Sequence, residues 1–245
     1  MSENKSVLIG RNAVMEALKS GRDIEKITVA KGAEGSIKKI VAQAKDKKIP
    51  VYYADKQALD RIGGDRPHQG VAAHVSAFQY SEVEDILQVA RDRGEDPFVV
   101  ILDNLEDPHN LGAIMRTAEC VGAHGIIIPK RRSVSVTDTV AKASAGAVEY
   151  MKVAKVTNIS QTIEKLQAEG LWVGACDMDG DTYYRSNLKG PIAIVIGSEG
   201  NGISKLVKSK CDFVVSMPMV GRITSLNASN AAAILMYEVR KQRDV

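Results

Sequence analysis

Apolar and polar positions change period several times along the chain, and those changes mark out its elements. Residues 11–20 read as a short helix stopped near Gly21, and 26–30 as a strand. Over 36–48 the apolar positions Ile37, Ile40, Val41 and Ala44 recur at helical spacing among lysines, which predicts an amphipathic helix. A strand at 50–53, a short helix at 56–62 and a strand at 70–75 complete a small α/β unit, near the minimum length that buries its own core. An acidic stretch follows, with one short helical pattern around 83–90. A longer alternation then begins. Its predicted strands are 98–102, 125–128, 152–156, 171–176, 192–196 and 213–216. Its predicted helices are 111–121, 137–147, 159–169, 203–208 and 225–240. Near-continuous apolar strands such as Ile192-Ala193-Ile194-Val195-Ile196, alternating with helices, predict a parallel sheet covered on both faces. Ligands of such sheets bind beyond the carboxyl ends of the strands, and the three most unusual loops all leave those ends. The expected architecture is an α/β chain divided into 1–76, a linker at 77–97, and 98–245.

Composition narrows the class. With 44% hydrophobic and 26% charged residues, the 245-residue chain reads as globular. No run approaches the ~18 apolar residues of a membrane span, and the N-terminus carries no apolar signal core. Cys120, Cys176 and Cys211 are odd in number and lack CxxC spacing, so free thiols in a reducing cytosol are expected, with no metal site and no membrane partner. The net charge of +3 is uneven: residues 1–76 hold 14 Lys/Arg against 9 Asp/Glu, and 77–97 hold 2 against 6. A basic front portion suits a polyanion, although lysines on solvated helix faces give the same count.

Four stretches carry candidate chemistry. The run from Leu102 to Arg116 places seven polar or breaker residues after a buried strand, then opens a helix near Asn110. Arg116 follows about six residues later, roughly 1.7 turns, so it is expected to emerge near the same end of the sheet. On an otherwise apolar helix this arginine needs an anionic partner, either a carboxylate in a salt bridge or an RNA phosphate. His109, a lone loop histidine, reads as structural or exposed. The second stretch, Gly197-Ser198-Glu199-Gly200-Asn201-Gly202-Ile203-Ser204, is a glycine loop between strand and helix. It lacks the lysine of a Walker loop, and Lys205 stands where a dinucleotide fingerprint needs Gly or Ala. Glu199 would repel a polyphosphate at short range, so a ligand with an adenosine, a positive centre and no phosphate fits better. S-adenosylmethionine is such a ligand.

Lys130-Arg131-Arg132 forms a basic cluster at the same end of the sheet, suited to backbone phosphates or simply solvated. The last stretch runs from Ser216 to Glu238. A strand ends at Pro218, and the following helix opens on small and amide side chains, with Ser225 a candidate cap. In the front unit the loop 63–70, with Arg66, His68 and Gln69, reads either as an RNA contact or as an ordinary connection.

Taken together, these stretches resemble the SpoU (TrmH) class of SPOUT RNA ribose 2′-O-methyltransferases, and within it the bacterial 23S rRNA guanosine-2′-O-methyltransferase subfamily. Asn110-Leu111-Gly112-Ala113-Ile114-Met115-Arg116-Thr117-Ala118 resembles the first family motif and 194–202 the second. Met217-Pro218-Met219 with Ser225-Leu226-Asn227-Ala228-Ser229 resembles the third, and Ser144-Ala145-Gly146-Ala147 also fits. Ile9-Gly10-Arg11-Asn12-Ala13-Val14 and Gln69-Gly70-Val71-Ala72-Ala73 resemble the family's ribosomal-protein-like substrate-binding domain. Asn230 and Thr224 depart from the usual residues at their positions.

The resemblance implies a trefoil-knotted second domain, a homodimer whose interface contributes to the active site, and a bent S-adenosylmethionine. It implies cofactor contacts around Gly197, Gly202, Met217, Pro218 and Leu226. Arg116 would be the catalytic arginine, with Asn110, Glu199, Ser225 and Asn227 in the site. Arg11, Lys130, Arg131 and Arg132 would contact RNA, with 23S rRNA the expected partner. The rival readings are a tRNA methyltransferase, a catalytically silent RNA-binding module and a nucleotide-dependent oxidoreductase.

Overall fold

A computed structural model describes residues 5–64 and 67–244. In chain order the elements are β1 (Lys5–Ile9), α1 (Arg11–Ser20), β2 (Ile24–Ala30), α2 (Ser36–Asp46), β3 (Val51–Ala54), α3 (Lys56–Gly63) and β4 (Val71–Ser76). Next come α4 (Val83–Arg93), β5 (Phe98–Asp103), α5 (Pro108–Cys120), β6 (Gly125–Pro129) and α6 (Asp138–Ala143). The chain ends with β7 (Lys152–Val156), α7 (Ile159–Ala168), β8 (Trp172–Thr182), β9 (Ile192–Gly197), α8 (Lys205–Lys210), β10 (Phe213–Ser216) and α9 (Ala228–Arg243). The described residues fall into two compact units. One holds the stretch up to 79 together with 136–150, and the other holds 80–135 and 151 onward.

The first unit is built on a four-stranded sheet ordered β1-β4-β2-β3. β4 runs antiparallel to both β1 and β2, and β3 adds parallel to β2. β1 has no counterpart in the sequence reading, because Lys5-Ser6-Val7-Leu8-Ile9 shows neither a clean alternation nor a full apolar run. Its partners supply the missing support, with Leu8 opposite Ala73 and Ile9 opposite Ala72. Ile37, Ile40 and Ala44 turn inward from α2 as the helical spacing predicted, while the lysines stay outside. α6 packs on β1, although the sequence reading placed it within 98–245 as part of one long helix. That helix is broken by two consecutive left-handed residues, Ala145 at φ 51 and Gly146 at φ 100. No L-residue helix continues through such a pair, and a short 3-10 turn, Ala147–Glu149, follows instead.

The second unit carries six strands, all parallel, in the order β10-β8-β9-β5-β6-β7. Alternate residues of β5 serve opposite faces. Val99 and Ile101 join a core with Ile86, Ile163, Leu166 and Val207 from α4, α7 and α8. The other face is covered by α5 and α9, which pack on each other. Both faces are therefore apolar, and β5 is buried along its whole length. One strand departs from expectation: β8 runs to Thr182 rather than ending at 176. The extension pairs with β10 after a register shift, which no local pattern announces.

Candidate active site

Strand β9 ends at Gly197, and the chain then makes a tight loop before α8. Ser198 N donates to Gly202 O at 3.2 Å, and Gly202 N donates back to Ser198 O at 2.9 Å. Gly202 takes φ 62, in the region where glycine is the default residue. Gly197 is required for a different reason: a Cβ there would lie 2.2 Å from the Gly202 carbonyl carbon. The loop is fixed to the sheet by buried Asp103 at the end of β5, whose Oδ2 accepts from Ser204 N at 2.8 Å.

Glu199 is the hub of this loop. Its Oε1 accepts from Asn110 Nδ2 at 2.9 Å, from Asn227 Nδ2, and from Ala228 N at 3.4 Å. Those donors belong to α5 and to the start of α9, so one carboxylate oxygen joins the three motif-bearing stretches. Asn227 in turn caps α9. Its Oδ1 accepts from Ser229 N at 3.0 Å and from Asn230 N at 3.4 Å. Ser225 was expected to be the cap and is not: α9 begins at Ala228, three residues later than expected, and Ser225 instead lines the adjoining cavity.

That cavity, about 410 Å³, lies beyond the carboxyl ends of β9 and β10 and beside the middle of β8. Gly197, Gly202, Glu199, Met217, Ser225 and Leu226 all line it, as do Cys176, Asp177 and Met178 from β8. Its described lining includes two carboxylates, Asp177 and Glu199, and no lysine or arginine. Pro218 does not reach it. A second cavity of about 460 Å³ shares the wall formed by Ser198, Glu199, Gly200 and Asn201. On its far side stand Asn110, Asn104, Glu106 and Arg132. The loop thus separates a cation-free chamber from one that holds an arginine.

The family model described as the SpoU rRNA Methylase family matches residues 97–237, and one described as RNA 2′-O ribose methyltransferase substrate binding matches 7–81. The chain belongs to the SpoU methylase family. It is 49% identical over its whole length to a TrmH family tRNA/rRNA methyltransferase, YacO of Bacillus subtilis, covering 98% of that protein. A relative of the same description from Staphylococcus haemolyticus is 48% identical over 97% of this chain and 96% of its own. Among solved structures, the SpoU methyltransferase AviRb of Streptomyces viridochromogenes superposes with a TM-score of 0.84 at 22% identity, covering 98% of this chain and 90% of its own. An rRNA methyltransferase of Sinorhizobium meliloti bound to S-adenosylmethionine gives 0.81 at 23% identity, over 97% and 87%. These likenesses establish the fold. S-adenosylmethionine is the methyl donor of the family.

The lining residues fit that donor. The volume lies in the usual range of small-molecule sites, about 300–1,000 Å³. Met217 and Leu226 offer apolar surface to a flat ring, the carboxylates suit a cationic end, and no group is present to hold a polyphosphate. Burial pushes the Cys176 thiol up to about 11, so this wall is neutral at its sulfur.

The remaining site residues from the sequence divide. Asn110 and Arg132 line the second cavity, and Arg132 takes φ 55. Lys130 and Arg131 are exposed without lining it. Arg116 departs most from expectation. It is exposed on the outward side of α5, lines neither cavity, and has no salt-bridge partner among the described residues. Six residues turn the helix past the cavity side, so Leu111, Ile114 and Met115 face inward and Arg116 faces out. Arg11, in the first unit, is held by Gln69, donating from Nε to Gln69 O at 2.9 Å. Together with Lys31, Lys56 and His68 it lines a cavity of about 850 Å³. His68 is buried, with Nδ1 accepting from Gly70 N and Nε2 facing Asp60, so it is structural there. Arg66 lies outside the described residues.

Sequence reasoning missed Asp103, Asp177 and Met178. Asp103 carried a signal, since an aspartate closing an apolar strand needs a partner. Asp177 and Met178 carried none, because their place depends on the shifted pairing of β8.

Among the described residues, no group of three or more His, Cys, Asp or Glu is placed to hold a metal. No helix is long and apolar enough to cross a membrane.

Proposed function

We propose that this protein transfers a methyl group from S-adenosylmethionine to a ribose 2′-hydroxyl of ribosomal RNA, on a guanosine of 23S rRNA, and that it does so as a homodimer. The observation that carries the reading is the pair of cavities divided by the loop from Ser198 to Asn201, with the cation-free chamber on one side and Asn110 and Arg132 on the other. The description of the substrate-binding family model supports the ribose as acceptor.

Bound S-adenosylmethionine supplies an electrophilic methyl group on a sulfonium. The protein's part is to hold that ligand, orient the ribose and stabilise the charge that grows on its oxygen. Gly197, Gly202, Met217, Ser225 and Leu226 hold the cofactor. Asn110 lines the second cavity with its nitrogen fixed by Glu199, which leaves its carboxamide oxygen to orient the ribose hydroxyl. Arg116 serves as an electrostatic group, because its guanidinium presents a planar fork of N–H donors and no acceptor. It would hold the adjoining phosphate and the developing alkoxide in the partner's site. Its outward placement, with no salt-bridge partner among the described residues, supports that assignment. Exposed Val220, Ile223, Ile234 and Tyr237 support a second copy covering this side. A knotted path through 197–226, as in the family it resembles, is part of the same proposal.

Mapping 2′-O-methyl positions in ribosomal RNA from cells with and without the protein tests this reading. One 23S guanosine is expected to lose its methyl group in the deletion strain. An unchanged 23S pattern with a position lost from tRNA would overturn the substrate assignment.

A further inference from the structure

Strand β8 is paired on both sides, but its two ladders do not keep step. Against β9 it runs without a break from Trp172 to Cys176. Against β10 it pairs Ala175 with Val214 and then Asp181 with Val215. Residues 176–180 are therefore extruded from the β10 ladder, and three of them, Cys176, Asp177 and Met178, form one wall of the cofactor cavity. The far end of the extrusion is closed by Ser216 Oγ, which donates to Gly180 O at 2.7 Å. Gly180 is needed there, since a Cβ would lie 2.5 Å from the Val214 carbonyl.

A loop of this kind, standing off its sheet, needs a lateral anchor to keep one shape. Lys208 provides it. Its ammonium lies 2.8 Å from Asp177 Oδ2 and 2.5 Å from Asp179 Oδ1. The other oxygen of Asp177 accepts from Met178 N at 2.7 Å, so both carboxylate oxygens are occupied. Lys208 sits on α8, the helix that directly follows the loop forming the opposite wall, and Lys208 N donates to Ser204 O at 2.9 Å. One side chain thus ties the two walls together.

We propose that Lys208 is a positioning residue for S-adenosylmethionine, setting the width of the cofactor cavity by holding Asp177 and Asp179. This rests on the reading of that cavity as the cofactor site. Lys208 lines neither cavity, so its effect passes through Asp177 and Met178. The ion pairs raise the lysine's pKa and lower that of Asp179, through their direct hydrogen bonds. Asp179 is 70% exposed, so the pair adds little to global stability and its consequence is local.

The test compares Lys208→Met, Lys208→Arg and Asp179→Asn with the wild type by calorimetric titration of S-adenosylmethionine and by steady-state kinetics. Lys208→Met is expected to raise both the Kd and the KM for S-adenosylmethionine roughly tenfold, the size of one charge-assisted contact. Its kcat should fall by no more than about twofold, and its KM for RNA should not move. Lys208→Arg should restore near-normal values, and Asp179→Asn, which keeps the fold in any case, should give an intermediate rise of about threefold. A Lys208→Met or Asp179→Asn protein with wild-type affinity would overturn the proposal and leave the functional reading standing. A loss confined to kcat, or an arginine variant as weak as the methionine one, would overturn it as well. A wild type that binds no S-adenosylmethionine would remove the functional reading, and the clamp with it.

Discussion

Glu199 spends one carboxylate oxygen on three donors, which makes it a junction more than a free base. Replacing it with Ala would leave the Asn110 carboxamide, which is buried, and the Ala228 N–H without their acceptor. The expected cost is about 1–3 kcal/mol of stability with loss of cofactor binding, read by thermal melting and calorimetry. Arg116 should behave in the opposite way. Arg116→Lys keeps a charge but loses the planar fork, so single-turnover methylation is expected to fall about 100-fold. Its affinity for S-adenosylmethionine should change little, because the side chain is absent from the cavity of its own chain. A near-normal rate in this variant would remove Arg116 from the mechanism. Cys176, with its thiol pushed up to about 11, should resist iodoacetamide at pH 8 in the folded protein and react on unfolding, as read by mass spectrometry. At this scale the glycine loop was legible, because Glu199 is incompatible with phosphate. Lys208 was not legible, since its partners lie 29 and 31 residues away.

Among the elements, α9 shows how a cap is chosen. Ser225 and Asn227 stand two positions apart and both suit the role, so sequence alone leaves the start of the helix undetermined. Asn227 takes it because its Nδ2 also reaches Glu199, so the cap and the site are built from one side chain. Asn227→Ala is expected to cost about 1 kcal/mol through the lost cap, and more in activity than Ser229→Ala, which removes only a neighbour of the cap. The parallel strands were legible from their continuous apolar runs. The extension of β8 was not, because residues 177–182, apart from Met178, are polar or glycine and become strand only through pairing with β10. The break after α6 could be seen only as a glycine, and the left-handed Ala145 beside it had no sequence signal.

For the molecule as a whole, charge and pH set the conditions in which it works. His124 is buried at the entry edge of the second unit, with Nδ1 accepting from Phe98 N at 2.9 Å and Nε2 facing Glu95. Burial lowers its pKa below the usual value near 6.5. The unfolded chain then takes up this proton first as the pH falls, so stability is full above about 6.5 and declines below it. Melting temperature should drop between pH 7 and pH 5.5, and His124→Asn should flatten that slope while keeping the acceptor for Phe98 N. The exposed apolar residues of α9 belong to this scale too. If the proposed homodimer forms through this face, Tyr237→Glu, at a residue 56% exposed in the single chain, should give a 26.4 kDa monomer in light scattering and abolish turnover, whereas a wild type that is already monomeric would contradict the dimer. That a parallel-sheet unit follows a smaller α/β unit was legible in the period, but 77–97 is not the linker the sequence reading made it, since α4 within it packs Ile86 and Leu87 into the core of the second unit. The return of 136–150 to the first unit was not legible, since it depends on packing against β1. The central claim, methyl transfer to a ribose oxygen across the Ser198–Asn201 wall, is tested most directly with purified protein, methyl-labelled S-adenosylmethionine and unmodified 23S rRNA digested to nucleosides after one turnover. The account predicts all label in 2′-O-methylguanosine, whereas label on a base, or cofactor binding with no transfer to RNA, would contradict it.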